Sequence, residues 1–173
     1  QVEDTLNYFL KKETQSVYMR TNPIPHSSTE IYSELKLPEK GQGSELFNSK
    51  NASTSIIVHS PLLVDQILNV IKEFEKEGIK LNVFVASWLN SFDDNWWKEK
   101  LKESSNIFIF ENGLIGGGWA EYISTQLNNV NGNIHIKGLE EVPPCGQAQE
   151  VLDKVGFSTD KIYKYICSVI KKV

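Results

Sequence analysis

The sequence predicts a three-layer α/β/α domain built on a mostly parallel sheet of about five strands. Two observations support this fold class. From Ser55 onward, short and almost continuously apolar runs, typical of strands covered on both faces, alternate with longer segments in which apolar residues recur at helical spacing. In residues 107–123, an apolar run ends in Glu111, and three glycines then lead into a helical segment. Strand, glycine turn and helix in this order indicate an α/β protein with right-handed crossovers.

The chain before Ser55 is predicted to be less regular. Residues 4–12 have apolar side chains at helical spacing, and residues 16–20 are predicted to form a short strand. Proline, glycine, serine and asparagine are frequent in residues 23–54, which predicts an irregular connector that links two units or wraps a surface, with room for a short hairpin. We therefore expect three parts: 1–22 as the end of a preceding domain or an N-terminal arm, 23–54 as the connector, and 55–173 as the α/β domain.

Local signals bound the elements of the predicted domain. Ser60 and Pro61 are suited to the start of a helix, and Gly78 is suited to its end. Asp93 or Asp94 is expected to cap a short helix. The predicted strands are 56–58, 81–86, 107–110 and 133–137, and the later predicted helices are 119–127, 147–155 and 160–169.

Composition narrows the class of function. The 173 residues carry a formal net charge of −4, which argues against nonspecific binding to nucleic acid or to anionic membranes. Two cysteines and three scattered histidines have no metal-ligand spacing, so we expect no metal site. Free thiols, with no apolar run long enough to span a bilayer and no signal-peptide pattern, predict a cytoplasmic protein. The chain begins with Gln1, so we expect a fragment or a processed subunit.

Three segments occur in an order and spacing that indicate a family. The first, 55–63, has the sequence SIIVHSPLL; the second combines the FEN of 110–112 with Gly116, Gly117 and Gly118. The third is the GQAQEVL of 146–152, followed by VGF at 155–157 and DKI at 160–162. With these segments, residues 55–170 resemble the C-terminal domain of transketolase-like thiamine-diphosphate enzymes, which include transketolase, deoxyxylulose-phosphate synthase and the beta subunits of 2-oxo-acid dehydrogenases.

The resemblance implies a fold and a role. In that family one edge strand of the sheet is antiparallel, and the domain supports dimerisation while the catalytic groups lie on the other domains. We thus expect no catalytic and no cofactor-binding residue in this chain, and an isolated chain that is inactive. Thiamine diphosphate and a divalent metal are expected in the complete enzyme, a transferase or an oxo-acid-processing enzyme. The expected partners are upstream cofactor- and pyrimidine-binding domains, or a subunit that carries them, in a homo-oligomer without nucleic acid or membrane.

Residues 17–20 are similar to the "V-Y-I-R" strand of the family's pyrimidine-binding domain, which makes Arg20 a candidate for contact with an anionic substrate. A salt bridge at a domain junction is the alternative role for Arg20. Family members that use sugar phosphates carry a further arginine after this strand, whereas this chain has Thr21, Asn22 and Pro23. This departure argues against a phosphorylated substrate.

The glycine turn has two interpretations. Its backbone N–H groups could cradle an anion at a helix start, or its glycines could allow close packing of the helix on the sheet. The phosphate-loop and dinucleotide fingerprints are both missing, which favours packing. Glu111 is expected either to accept backbone N–H groups across the loop or to take part in a subunit contact. We accordingly take Glu111, Gly116, Gly117, Gly118 and Trp119 as interface candidates.

Two adjacent tryptophans, Trp96 and Trp97, are also interface candidates, because neighbouring residues cannot both face one side of a helix. They either form an exposed patch for a partner or fill the core under a loop. His59, a lone histidine at a strand end, is expected to be a hydrogen-bonded bystander and not an acid–base group. Cys145 is expected to be unreactive because no histidine is adjacent in the sequence to activate it.

Two further functions remain open from sequence alone. The chain could be a free-standing α/β interaction module without enzymatic activity, as the substituted 21–23 segment and the unusual connector suggest. It could also be a small anion-binding α/β protein.

Overall fold

The computed structural model describes residues 2–11, 18–19 and 35–170. Within these residues the chain forms six helices and five strands. The helices are α1 (Val2–Lys11), α2 (Pro61–Lys76), α3 (Asp94–Leu101), α4 (Trp119–Gln126), α5 (Ala148–Lys154) and α6 (Thr159–Ile170). The strands are β1 (Gly43–Asn48), β2 (Thr54–Val58), β3 (Asn82–Ala86), β4 (Asn106–Leu114) and β5 (Asn133–Leu139).

The five described strands form one sheet in the order β1-β3-β2-β4-β5. Strands β3, β2, β4 and β5 are parallel, and β1 is antiparallel to β3 at the edge. The predicted mostly parallel sheet with one antiparallel edge strand is confirmed. From β2 the chain adds β3 on one side, and it then crosses over to add β4 and β5 on the other side. The carboxyl ends of β2 and β4 therefore flank the switch point, which is where α/β proteins usually bind ligands.

Two apolar cores separate the sheet from its helices. Ile56, Val83 and Phe108 point to the side covered by α2, α5 and α6, whereas Ile57 and Phe84 point to the side covered by α3 and α4. All five side chains are at most 1% exposed. Burial on both faces explains why the central strands are almost continuously apolar, and it confirms the three-layer prediction.

The predicted helix boundaries follow from local chemistry. Pro61 is the first residue of α2, where its missing N–H costs nothing, and Gly78 follows the helix with a φ of 70°. The Asp93 side chain accepts the Trp96 N–H at 3.0 Å and so caps α3.

The predicted connector needs a correction. Residues 43–48 of the segment expected to be irregular form β1, the antiparallel edge of the sheet. A register shift between Glu45 and Phe47 marks a bulge, which breaks the alternation that a regular strand would show in the sequence. Most of the strand predicted at 16–20 lies outside the described residues, and Tyr18 and Met19 are described without strand structure.

Helix α1 is anchored to the carboxyl end of the sheet. The rings of Tyr8 and Phe9 meet the Trp88 ring edge to face, with centroids 5.3 and 6.0 Å away. Trp88 follows β3, and its indole N–H donates to the Pro38 carbonyl at 3.1 Å. No helix in the described part of the chain has the length and hydropathy needed to cross a membrane.

Candidate functional site

The carboxyl end of β4 holds a buried carboxylate against the start of α4. Glu111 is 6% exposed. Its Oε1 accepts the Trp119 N–H at 3.0 Å, and its Oε2 accepts the Ala120 N–H at 2.8 Å. A helix N-terminus favours a negative charge at its free N–H groups. The anion at this helix start is therefore the chain's own Glu111, which is the structural role that the sequence left open.

The three glycines of the turn serve different purposes. A Cβ on Gly118 would lie 2.3 Å from the Leu114 carbonyl oxygen and 2.4 Å from Glu111 Oε2, so only glycine lets the carboxylate reach the helix. Gly117 has a φ of 72°, and its N–H donates to Glu121 Oε2 at 2.7 Å. A Cβ on Gly116 would meet nothing within 4 Å. Packing thus requires Gly118, and backbone conformation favours Gly117.

Exposed apolar residues occur at the turn and in the first turn of α4. Leu114, Ile115 and Tyr122 are 48%, 36% and 38% exposed, and we call these three residues the turn surface. Leu89 and Val142, in the loops after β3 and β5, are also exposed at the carboxyl end of the sheet, at 38% and 79%. We take the turn surface as a candidate for a protein–protein contact.

Trp119 lies between the turn and the switch point. Its side chain is 9% exposed, and its ring meets the His59 ring edge to face at 4.7 Å. Within the described residues, the buried Trp119 Nε1 and Asn112 Oδ1 have no hydrogen-bond partner. An unpaired buried polar group costs about 1–3 kcal/mol. This end of β4 therefore has hydrogen-bonding groups that the described chain does not satisfy.

The two adjacent tryptophans have different environments. Trp97 is 1% exposed, and its indole N–H donates to the Gly41 carbonyl at 2.9 Å. Trp97 therefore fills the core under the loop and offers almost no surface to a partner. Trp96 is half-buried, with the Lys100 Nζ 5.6 Å from its ring centroid. Of the two interface candidates, only Trp96 has an accessible side chain.

The other candidate residues are spread across the molecule. Arg20 lies outside the described residues. Cys145 is exposed and Cys167 is buried. No cluster of three or more metal-ligating side chains occurs among the residues that the structure describes. His135 on β5 lies 3.0 Å from Asn106 Oδ1, and burial lowers the pKa of its imidazole.

Comparison with known proteins identifies the family. The model of the family described as "Transketolase, C-terminal domain" matches residues 49–162, more than half of the chain. The chain belongs to this family. The prediction from the three sequence segments is confirmed.

The sequence identity between this chain and individual relatives is low. The chain is 20% identical over 127 residues to the 1-deoxy-D-xylulose-5-phosphate synthase of Carboxydothermus hydrogenoformans, an alignment covering 72% of this chain and 20% of the synthase. The same enzyme from Clostridium tetani is 20% identical over 117 residues, which cover 66% of this chain and 19% of that protein. The chain thus spans about one-fifth of the length of the curated relatives it matches.

Solved structures show the same fold. The inactive beta4 tetramer of a split gene transketolase superimposes with a TM-score of 0.68 at 19% identity, covering 80% of this chain and 45% of that chain. Transketolase from Campylobacter jejuni superimposes with a TM-score of 0.59 at 21% identity, covering 75% of this chain and 19% of that one.

Proposed function

We propose that this chain is the C-terminal assembly domain, as a fragment or as a separate subunit, of a transketolase-like thiamine-diphosphate-dependent enzyme. In this role it supports dimerisation and braces the catalytic domains, and it is inactive alone. The observation that carries the proposal is the turn surface: Leu114, Ile115 and Tyr122 stay exposed around a turn that Glu111 fixes from inside.

The internal position of Glu111 favours assembly over anion binding. A free anion at the start of α4 would have to displace a carboxylate that already holds two N–H groups at 3.0 and 2.8 Å. The side chains of the turn surface are instead mainly hydrocarbon, and covering them with a partner removes apolar surface from water. The turn is therefore better suited to contact a protein than to bind phosphate.

The cofactor is assigned to other parts of the enzyme. The curated relatives are about five times longer than the matched segment, which leaves room for the thiamine- and metal-binding domains that the family resemblance places upstream. Thiamine diphosphate supplies the carbanion chemistry of such an enzyme when it is bound. Glu111, the three turn glycines, Trp119 and Trp96 are proposed to act in or near the domain contact, and Arg20 remains a proposed substrate contact.

The solved split gene transketolase adds support for a separately encoded chain. That protein's name describes an inactive tetramer of one chain type, and the present chain covers 45% of its length. An α/β domain of this kind can accordingly occur in an assembly that lacks activity. We propose the same dependence on a cofactor-binding partner for the chain described here.

Co-purification tests the assembly role. The chain is co-expressed with the thiamine-diphosphate-binding segment or chain encoded next to it, and the product is analysed by size-exclusion chromatography. We expect co-elution, and we expect Ile115→Glu to abolish it because the turn surface then carries a charge. Lys72→Glu, at an exposed position of α2, is the matched control and should co-elute like the parent chain. Equal co-elution of both variants would refute the turn surface as the contact.

An activity assay tests whether catalysis requires the cofactor-binding partner. Consumption of a panel of 2-oxo acids and ketose phosphates is measured with thiamine diphosphate and Mg²⁺, for the chain alone and for the co-purified complex. We expect turnover in the complex only. Turnover by the chain alone would contradict the proposal. A complex without turnover in the presence of cofactor would favour the non-enzymatic interaction module.

A further inference from the structure

The loop between α4 and β5 is rich in asparagine, and one of its asparagines precedes a glycine. Residues 128–133 have the sequence NNVNGN, which places Asn131 directly before Gly132. The other asparagine–glycine pair of the sequence is Asn112–Gly113, at the end of β4. Such a pair is chemically special because glycine has no side chain to keep its backbone nitrogen away from the preceding asparagine amide.

The reaction open to an asparagine–glycine pair needs water as its co-reactant. The glycine backbone nitrogen loses its proton and attacks the side-chain carbonyl carbon, Cγ, of the asparagine. The new C–N bond closes a five-membered succinimide ring, and the side-chain nitrogen leaves as ammonia with that proton. Water then adds to one of the two ring carbonyls and breaks its bond to nitrogen, which gives aspartate or isoaspartate. In sum, an amide and water become a carboxylic acid and ammonia.

Both reacting groups of the Asn131–Gly132 pair are free to meet. Asn131 is exposed, in a bend between the helix and the strand. Among the described residues, neither the Asn131 side chain nor the Gly132 N–H has a hydrogen-bond partner. The backbone N–H groups of Val130 and Asn133, on either side of the pair, are both bonded, at 3.0 and 2.9 Å. The ring can therefore close between them without the loss of a hydrogen bond donated by the pair.

The second pair is held in the sheet. Asn112 and Gly113 lie within β4, and Asn112 Oδ1 is buried. A Cβ on Gly113 would lie 2.9 Å from Glu111 Oε1, so the carboxylate that holds the start of α4 packs directly against this backbone. Ring closure requires the asparagine backbone to leave the extended conformation, which here means opening the end of β4. The same two-residue sequence is therefore expected to react in the loop and to be protected in the strand.

We propose that Asn131 is a site of spontaneous modification, at which the folded chain converts asparagine to aspartate and isoaspartate while Asn112 stays intact, and that the isoaspartyl product loosens the entry to β5. This modification does not depend on the proposed function. The loop enters β5 at the amino end of the sheet, whereas the turn surface lies at the carboxyl end of β4.

The two products differ in what they do to the backbone. Each adds one negative charge to a chain whose formal net charge is −4. Isoaspartate also lengthens the main chain by one methylene group, at a point with little room. A Cβ on Gly132 would lie 2.4 Å from the Ser104 carbonyl oxygen and 3.0 Å from Ile107 Cδ1. The isoaspartyl form should therefore be less stable than the aspartyl form, which keeps the original chain length.

Peptide mapping of the aged protein tests the site. The chain is incubated at mildly alkaline pH, folded and in urea, and is then cleaved after glutamate, because Glu121 separates the two pairs. Mass spectrometry should show that the Asn131 peptide of the folded chain becomes the acid at least about tenfold faster than the Asn112 peptide, since β4 must first open. In urea the two rates should be similar. Similar rates in the folded chain, or a faster reaction at Asn112, overturn the inference.

Glutamine variants test the assignment in the intact protein. Asn131→Gln adds one methylene group to the side chain, so that the reaction would need a six-membered ring, which closes far more slowly. This variant should lose the acidic species that ageing of the parent chain produces on ion-exchange chromatography. Asn129→Gln is the matched control, because Asn129 is exposed in the same loop but precedes Val130. An acidic species that persists in Asn131→Gln, or disappears in Asn129→Gln, contradicts the assignment.

Urea unfolding tests the effect on β5. Asn131→Asp reproduces the aspartyl product without a change of chain length, and its unfolding midpoint should equal that of the parent chain. The aged fraction that contains isoaspartate should unfold at a lower urea concentration. Equal midpoints for the isoaspartyl fraction and Asn131→Asp would show that the added methylene group is accommodated, and would refute the loosening of the entry to β5.

Discussion

Replacement of Glu111 by glutamine tests whether the buried carboxylate fixes the turn. The substitution keeps the shape of the side chain but places an amide NH₂ where one of the two carboxylate oxygens accepts a backbone N–H, at 3.0 or 2.8 Å. One hydrogen bond is lost, and the remaining one no longer involves a charge. Because the side chain is 6% exposed, water cannot replace the lost partner.

The magnitude follows from the two bonds. A hydrogen bond to a charged group contributes about 1.5–3 kcal/mol, a neutral one about 1 kcal/mol, and a buried N–H left unpaired costs about 1–3 kcal/mol. Glu111→Gln should therefore lower the free energy of unfolding by about 3 kcal/mol. For a chain of this length, each kcal/mol shifts the Tm by about 2–4 °C, so the expected loss is about 10 °C.

The assay is calorimetric unfolding with a control from the same turn. Glu121→Gln removes the charge from another carboxylate that accepts a glycine N–H, but this one is exposed, and water can replace it. We expect this control to lie within about 1 kcal/mol of the parent chain. If Glu111→Gln unfolds within about 1 °C of the parent chain, the carboxylate does not hold the helix start, and the reasoning is refuted.

Substitutions at the turn glycines, at the adjacent tryptophans and at His135 should change stability in defined ways. Gly118→Ala should destabilise by more than about 2 kcal/mol because its Cβ would overlap the Leu114 carbonyl oxygen, whereas Gly116→Ala, which meets no atom, should be neutral; urea unfolding distinguishes them. Trp97→Ala should cost about 3–5 kcal/mol and Trp96→Ala less, measured in the same way, since only Trp97 is fully buried. Burial lowers the pKa of His135, so the neutral imidazole makes its full contribution to the free energy of unfolding above the unfolded pKa of about 6.5, and this contribution falls as the pH drops below that value. His135→Gln should make the free energy of unfolding less dependent on pH in this range.

The sequence predicts those parts of the fold that depend on local chemistry. The ends of α2 follow from Pro61 and Gly78, and β2 and β4 follow from apolar runs that only a covered strand explains. Trp119 is the first residue of α4, as the position of the glycine turn indicates. Each of these signals lies within a few residues of the feature that it determines.

Local patterns do not locate the features that depend on long-range contacts. β1 has a bulge and few apolar residues, and it is stabilised by pairing with β3 and by Trp97, whose ring would lie 2.8 Å from a Cβ on Gly43. The burial of Trp97 likewise depends on Gly41, more than fifty residues away in the sequence. Local patterns contain neither contact, which is why the strand appeared to be part of a connector.

Local sequence predicts the Glu111 contact only in part. An acidic residue before a glycine turn indicates that a helix start is near, but an external anion and an internal carboxylate have the same local sequence signal. The choice depends on whether the loop folds back far enough, and Gly118 permits this because no side chain separates the carboxylate from the helix. Once Glu111 occupies the helix start, what the turn offers a partner is its apolar surface. The same residues that resemble a ligand cradle in the sequence are therefore proposed to contact a protein in the folded chain.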